Sequence, residues 1–260
     1  MNGFLRILRI LLRPPALAFR FLRWFTRNKK NRRWVLYGCL GILCLSVAVG
    51  EILVDHRHLP WRPLAIDDRA GFSTNLKLAL LNRGPVSWCD KLLFDSQNLD
   101  VASVDPHSDR NGCGWENGKE INTSNDIEIR GGRIMKCPLA VATHIWLTTS
   151  NYLAKEMLET EITKVHDAGT YSCRRMYNRS RGPMSQHAYA NAWDITGFEL
   201  DDGRVISVAR HWNTHGDEAE FLRETRDAAC QVFNIVLSPD YNQAHHDHFH
   251  VDMGFGERCR

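Results

Sequence analysis

His245, His246, Asp247, His248, Phe249, His250, Val251 and Asp252 form one run near the end of the chain, and it holds four of the twelve histidines. Upstream lies a second segment, Ser185-Gln186-His187-Ala188-Tyr189-Ala190-Asn191-Ala192-Trp193-Asp194. Together they read as a split metal site, with His187 and Asp194 from one segment and the pair His248 and His250 from the other. Neutral imidazole and carboxylate suit zinc, and three protein ligands leave a fourth position for a reactive water. That is hydrolytic chemistry. The bland alternative is a solvated, metal-sticky loop. Phe249 and Val251, interleaved with the histidines, argue for a half-buried strand instead.

Strands and a loop must bring these groups together. Residues 248–253 read as a last strand, from which His248 and His250, two apart, project on one face. His246 is expected in solvent, and Asp247 points to the far face. Residues 192–200 read as a neighbouring strand that carries Asp194. Asp201-Asp202-Gly203 is a hairpin signal, and residues 204–212 continue as the partner strand. His187 falls in the loop that precedes the Asp194 strand. Residues 163–165 and 170–174 read as a strand pair around Gly169. Helices are expected over 76–81, over 140–158 in the core, and over 218–236 as an amphipathic element ending before Pro239. Adjacent strands with segregated helices predict an α+β fold, an antiparallel β-sheet with flanking helices. Trp61, Trp88, Trp115, Trp146, Trp193 and Trp212 are candidates for stacking on sugars or for the core, and Trp146 and Trp193 are expected in the core.

The N-terminal part has a different character. Residues 34–54 carry a single charge, Glu51, and are long enough to span a hydrocarbon core as a helix. Before them, residues 1–33 hold ten basic residues and no acid. Positive charge stays cytoplasmic, so the bulk of the chain is expected on the outer side. Arg6, Arg9 and Arg13, and later Arg20, Arg23 and Arg27, recur at helical spacing. The arm therefore reads as basic amphipathic segments that meet anionic inner-membrane lipids, or as a merely cationic topogenic tail. The whole chain has 33 basic and 30 acidic residues; without the ten of the arm, 23 basic face 30 acidic, a formal −7. No basic patch argues for nucleic acid. The expected organisation is an arm (1–33), a membrane anchor (34–54), a linker (55–75) and one domain (76–260). Six cysteines follow the span: Cys89, Cys113, Cys137, Cys173, Cys230 and Cys259. An even count in an exported domain predicts three disulfides, and the sequence leaves the pairing open. Cys39 and Cys44, within the span, are expected as thiols.

Ser-x-His, six residues, Asp, and a later His-x-His resemble the zinc peptidases that cut D-amino-acid bonds in bacterial peptidoglycan. These are the D-Ala-D-Ala dipeptidases, murein endopeptidases and related carboxypeptidases, the LAS metallopeptidases. The chain resembles the bacterial extensin-like C-terminal domain family more closely still. Tyr171-Ser172-Cys173-Arg174, Ser185-Gln186-His187-Ala188, Ala192-Trp193-Asp194-Ile195, Ala229-Cys230 and the run from His245 to Asp252 carry that likeness. The resemblance implies a LAS-like fold with one zinc ion per chain, held by His187, Asp194 and His250. It implies His248 as the group that handles protons beside the metal, with Asp247 as the rival base. It makes His245 an additional histidine of the site and Arg174 the cation that stabilises developing negative charge. The implied function is a membrane-anchored periplasmic zinc metallopeptidase that hydrolyses peptide bonds in peptidoglycan. The alternative is a non-catalytic wall-binding or envelope-assembly module that keeps the fold.

Overall fold

A computed structural model describes residues 29–109 and 111–260. The amphipathic reading of residues 1–28, and with it the contact of the arm with anionic lipid, lies outside the described residues. The chain divides into two compact units, Met1–Asp55 and His56–Arg260. In the first unit, helix α1 (Lys29–Leu53) takes up nearly all of the expected span. Its stretch Arg32–Leu53, with a mean hydropathy of 2.0, is long and apolar enough to cross a membrane.

The second unit is built on a nine-stranded sheet. In chain order its helices are α2 (Thr74–Arg83), α3 (Val86–Asp95), α4 (Cys137–Leu158), α5 (Val208–His211) and α6 (Asp217–Cys230). The strands are β1 (Leu99–Val104), β2 (His107–Ser108), β3 (Gly114–Trp115), β4 (Gly118–Ser124), β5 (Ile127–Lys136), β6 (Ile162–Gly169), β7 (Ala192–Leu200), β8 (Val205–Ser207), β9 (Ile235–Leu237), β10 (Phe249–Asp252) and β11 (Arg258–Cys259). The order across the large sheet is β1-β4-β5-β6-β7-β10-β9-β11, with β8 also paired to β7. β2 and β3 form a separate two-stranded sheet.

The sheet is mixed, not purely antiparallel as expected. β5 and β6 run parallel, as do β9 and β11. The first pair follows from the chain path: α4 connects β5 to β6, and a helical crossover returns a strand in parallel. α4 is apolar on nearly all sides, with residues from Cys137 to Leu158 in the core. Such a helix must be surrounded. Trp146 packs edge-on against Trp193 of β7 (ring centroids 6.1 Å apart) and Phe233 (6.0 Å), and its indole N–H donates to the Thr225 carbonyl of α6 at 3.0 Å.

Several expected elements differ. Residues 170–174 form no strand. β6 instead runs to Gly169 and pairs with β7, and the following segment leaves the sheet toward the Cys113–Cys173 disulfide. The expected 204–212 strand shortens to β8, because Val208 and Trp212, four apart and both buried, are spaced for the helical turn of α5. The 218–236 helix ends at Cys230, and Ile235–Leu237 becomes β9 beside β10. Of residues 55–75, read as a linker, those from His56 onward belong to the second unit. Leu59, Ile66 and Ala70 are buried, and Asp67 bonds His144 of α4 and Ser96.

The register of β7 and β10 sets up the functional face. The two are antiparallel, with His250 opposite Asp194 and Val251 opposite Trp193. Side chains alternate across a sheet. Trp193, Ile195, Phe249 and Val251 therefore enter the core, all fully buried, while Asp194, His250 and Asp252 share the opposite face.

Candidate metal centre

The Asp194 side of the sheet is covered by the turn that carries His187. Ser185 caps a short 3-10 helix, Gln186–Tyr189, its hydroxyl accepting from the His187 N–H at 3.3 Å. This turn holds the His187 ring, only 3% exposed, over the ends of β7 and β10. His187 Nδ1 faces the carbonyl oxygen of Thr170 at 3.2 Å. A carbonyl only accepts, so Nδ1 carries the hydrogen and Nε2 presents a lone pair. His250 is the mirror case. Its Nε2 donates to the Asp252 carboxylate at 3.0 Å, which leaves Nδ1 to face inward.

The inward atoms converge. His187 Nε2 and His250 Nδ1 are 3.2 Å apart. Asp194 Oδ1 is 2.9 Å from His250 Nδ1, and Asp194 Oδ2 is 3.1 Å from His187 Nε2. One ligand atom from each of the three residues lies within 4.8 Å of the others. Two imidazole lone pairs and a carboxylate facing one another repel unless a positive charge lies among them. The electrostatics carry that signature. Burial opposes charge on His250, but its bonds to Asp194 and Asp252 push its pKa up to about 9. Burial likewise would raise the Asp194 carboxyl, yet His187 and His250 hold it well below the usual carboxylate range. A proton on His250 supplies positive charge among these groups; with that proton displaced, the two nitrogens and the carboxylate could hold a metal ion, and such a donor set suits zinc.

The other expected site residues surround this centre. His248 lies just before β10, in a turn, so strict strand alternation does not govern it. Even so, its Nε2 is 3.6 Å from Asp194 Oδ1, and its Nδ1 bonds Asp247 Oδ1 at 2.8 Å. Asp247 thus stands behind His248, away from the ligand atoms. His245 packs against the rings of His248 (5.2 Å) and His250 (5.8 Å) and is anchored by Asn242 Oδ1 at 2.8 Å. Burial first, then the neighbouring charges of His250 and His248, pull the His245 pKa down to about 4. Arg174 lines the same cleft, of about 660 Å³, and makes no ion pair among the described residues. His246 points outward to the Gln243 carbonyl.

Two supporting groups were not picked out from the sequence. Asp252 orients His250, and its signal was the continued alternation His248-x-His250-x-Asp252. The Thr170 carbonyl orients His187, and a backbone atom leaves no mark in residue type. The cysteines pair as Cys89–Cys137, Cys113–Cys173 and Cys230–Cys259, with Cys39 and Cys44 free.

The family model described as Extensin-like protein C-terminus matches residues 87–260. That stretch is most of the chain and contains the whole candidate centre, and the chain belongs to this family. No curated protein matches the chain, and no solved structure does.

Proposed function

We propose that this member of the extensin-like C-terminal family is a zinc-dependent peptidase of peptidoglycan, related to the LAS metallopeptidases. The observation that carries this reading is the convergence of His187 Nε2, His250 Nδ1 and the Asp194 carboxylate, each nitrogen fixed by an acceptor on its far side. Outer partners of this kind hold the tautomer of a metal-binding histidine and raise its basicity. When bound, zinc brings the pKa of a coordinated water toward neutrality and polarises a substrate carbonyl. His187, Asp194 and His250 would hold it. His248 accepts the proton at Nε2, since its Nδ1–H is committed to Asp247, and returns it to the leaving amine. Arg174 offers positive charge to the oxyanion across the cleft. His245, kept neutral, fills the wall behind His248.

The same reading anchors the chain in the bacterial inner membrane through α1, with the second unit in the periplasm. Two facts support it: the basic residues on the N-terminal side of α1, and three disulfides, which persist in an oxidising compartment. The test is digestion of purified peptidoglycan by the full chain in detergent, with zinc and with a chelator, followed by mass analysis of the released fragments. Zinc-dependent cleavage of peptide bonds is expected. A zinc-loaded protein that binds the wall polymer but releases nothing would instead establish the non-catalytic wall-binding module.

A further inference from the structure

Away from the metal cleft, a cavity of about 540 Å³ opens beside the start of α4, a volume typical of small-ligand sites. Two disulfides bound it: Cys89–Cys137 ties α3 to the first residue of α4, and Cys113–Cys173 ties the β2–β3 sheet to the segment that carries Arg174. The small sheet itself is tightly closed. A side-chain carbon at Gly114, whose φ is +127°, would collide with the His107 carbonyl oxygen. This turn holds Trp115, whose indole N–H donates to the Asp105 carbonyl at 3.1 Å and whose ring packs edge-on to Tyr171 at 5.0 Å. Walls fixed in this way cost little ordering when a ligand enters.

Lys136 supplies the charge. Its backbone N–H bonds the Ala190 carbonyl at 2.7 Å, which locks it to the turn that carries His187. Its ammonium lies 5.2 Å from the centre of the Tyr189 ring and has no ion pair or hydrogen bond among the described residues. Burial lowers its pKa from the ordinary lysine range, and only Glu116 opposes the shift. Glu116 also lines the cavity but makes no ion pair with Lys136, so the half-buried ammonium keeps its hydrogen-bond donors open to an anion.

A third cleft lies between this cavity and the metal cleft and shares wall residues with each. Asn82, Lys136 and Tyr189 also line a neighbouring cleft of about 790 Å³, whose far wall includes Gln186, Gly254 and Phe255. Those three also line the metal cleft. Three adjoining clefts therefore lie in series from the metal-binding atoms to Lys136 around the 3-10 turn.

We infer that the Lys136 cavity is an anchoring subsite for a carboxylate-bearing saccharide–peptide chain, with the carboxylate on Lys136 and an aliphatic or sugar ring face against Trp115. This rests on the proposed peptidase reading and extends it: the ligand must be longer than a dipeptide and acidic at the end remote from the scissile bond.

The test measures binding of a disaccharide–peptide fragment of peptidoglycan to the full chain in detergent under chelation, so that no turnover intervenes. The same fragment with its carboxylates amidated is the control, and inorganic phosphate is added as a competitor. Amidation and Lys136→Gln are each expected to weaken binding about tenfold, without adding to one another, as for the loss of one desolvated charge pair. Lys136→Arg should retain most of the affinity, and Trp115→Ala should weaken both fragments. Retained zinc stoichiometry certifies that each variant is folded. Equal binding of the two fragments, wild-type affinity in Lys136→Gln, or no fragment binding by the wild type overturns the inference. So does displacement of the fragment by phosphate at equal concentration. With zinc restored, Lys136→Gln should raise KM and leave kcat. If the wild type hydrolyses and Lys136→Gln shows an unchanged KM, the subsite fails while the peptidase stands. Lys136-dependent binding without any hydrolysis leaves the subsite and removes the peptidase.

Discussion

His144 on α4 and His250 on β10 are both withdrawn from solvent and both bond an aspartate, yet their rings have opposite tendencies. His144 Nδ1 meets the Ser124 hydroxyl at 2.7 Å and its Nε2 meets Asp67 at 3.0 Å. Donor and acceptor are both matched, so the neutral ring is complete, and burial outweighs Asp67 in lowering its pKa. His250 has two carboxylates, Asp194 and Asp252, and a second imidazole within reach, and its pKa moves up to about 9. Burial and an acidic neighbour are common to the two. A surplus of acceptors around one ring, which an added proton or a metal ion must satisfy, is what separates a candidate metal centre from a satisfied core histidine.

The comparison is most directly broken by metal analysis. His187→Ala, Asp194→Ala and His250→Ala should each lose the single zinc and with it all detectable hydrolysis. His144→Gln should keep full zinc. Chelation should lower the Tm of the wild type and of His144→Gln alike, because a ligand bound only by the folded state stabilises it. It should leave the Tm of His250→Ala unchanged. Full zinc in the three ligand variants would sink the assignment.

A smaller effect divides the groups beside the centre. His248→Ala should cost about 10²–10⁴-fold in turnover, the usual range for a general base, with zinc retained. Asp247→Asn should cost about tenfold, since it loosens the hold on His248 Nδ1 without removing the base. Turnover of a muropeptide at matched zinc content decides between them. A dead Asp247→Asn enzyme beside an active His248→Ala one would make the acid the base.

What the sequence made legible follows the same contrast. The Asp194 strand and the last strand could be read, because period-2 alternation records which face a side chain takes; His187 lies in a turn and was legible only from its motif, and the choice of His187, Asp194 and His250 came from the family resemblance. The α4 core helix was likewise plain from its apolar spacing. Residues 99–136 went unread, although Asn125 and Asp126, both with left-handed φ, join β4 to β5 through the tight turn their types favour. β4 and β5 lack clean alternation, as Gly131 and Gly132 interrupt β5 and register shifts break β4. The parallel β5–β6 pair was not visible either, since pairing across a crossover leaves no local pattern. The shortened 218–236 helix shows the limit of periodicity. Val232 and Phe233 continue the apolar spacing and are buried, but they serve the turn into β9 rather than another turn of helix.

The smallest effect expected is the acid response of the core histidine. In the folded chain the His144 pKa lies below its ordinary value, because burial disfavours the imidazolium more than Asp67 favours it. Unfolded, the same ring protonates near pH 6.5. Below that pH the unfolded state binds a proton that the folded state does not, so stability falls as the pH drops, by up to about 1.4 kcal/mol per pH unit for one group. The contribution is complete above pH 6.5 and is lost as the pH falls toward the lowered folded value. His245, pulled down to about 4, acts in the same window and in the same direction. His250 acts in the opposite direction: its folded pKa is raised to about 9, so in the metal-free protein its contribution is full below pH 6.5 and begins to be lost as the pH rises past that value. Urea denaturation of the chelated full chain between pH 7 and pH 5 should therefore show a positive slope of stability with pH. His144→Gln should lose one proton's share of that slope and His245→Gln another, whereas His250→Gln should make the slope steeper, most visibly above pH 6. An unchanged slope in His144→Gln would mean that the core ring titrates in the folded state as readily as in the unfolded chain, and that Ser124 and Asp67 do not hold it neutral.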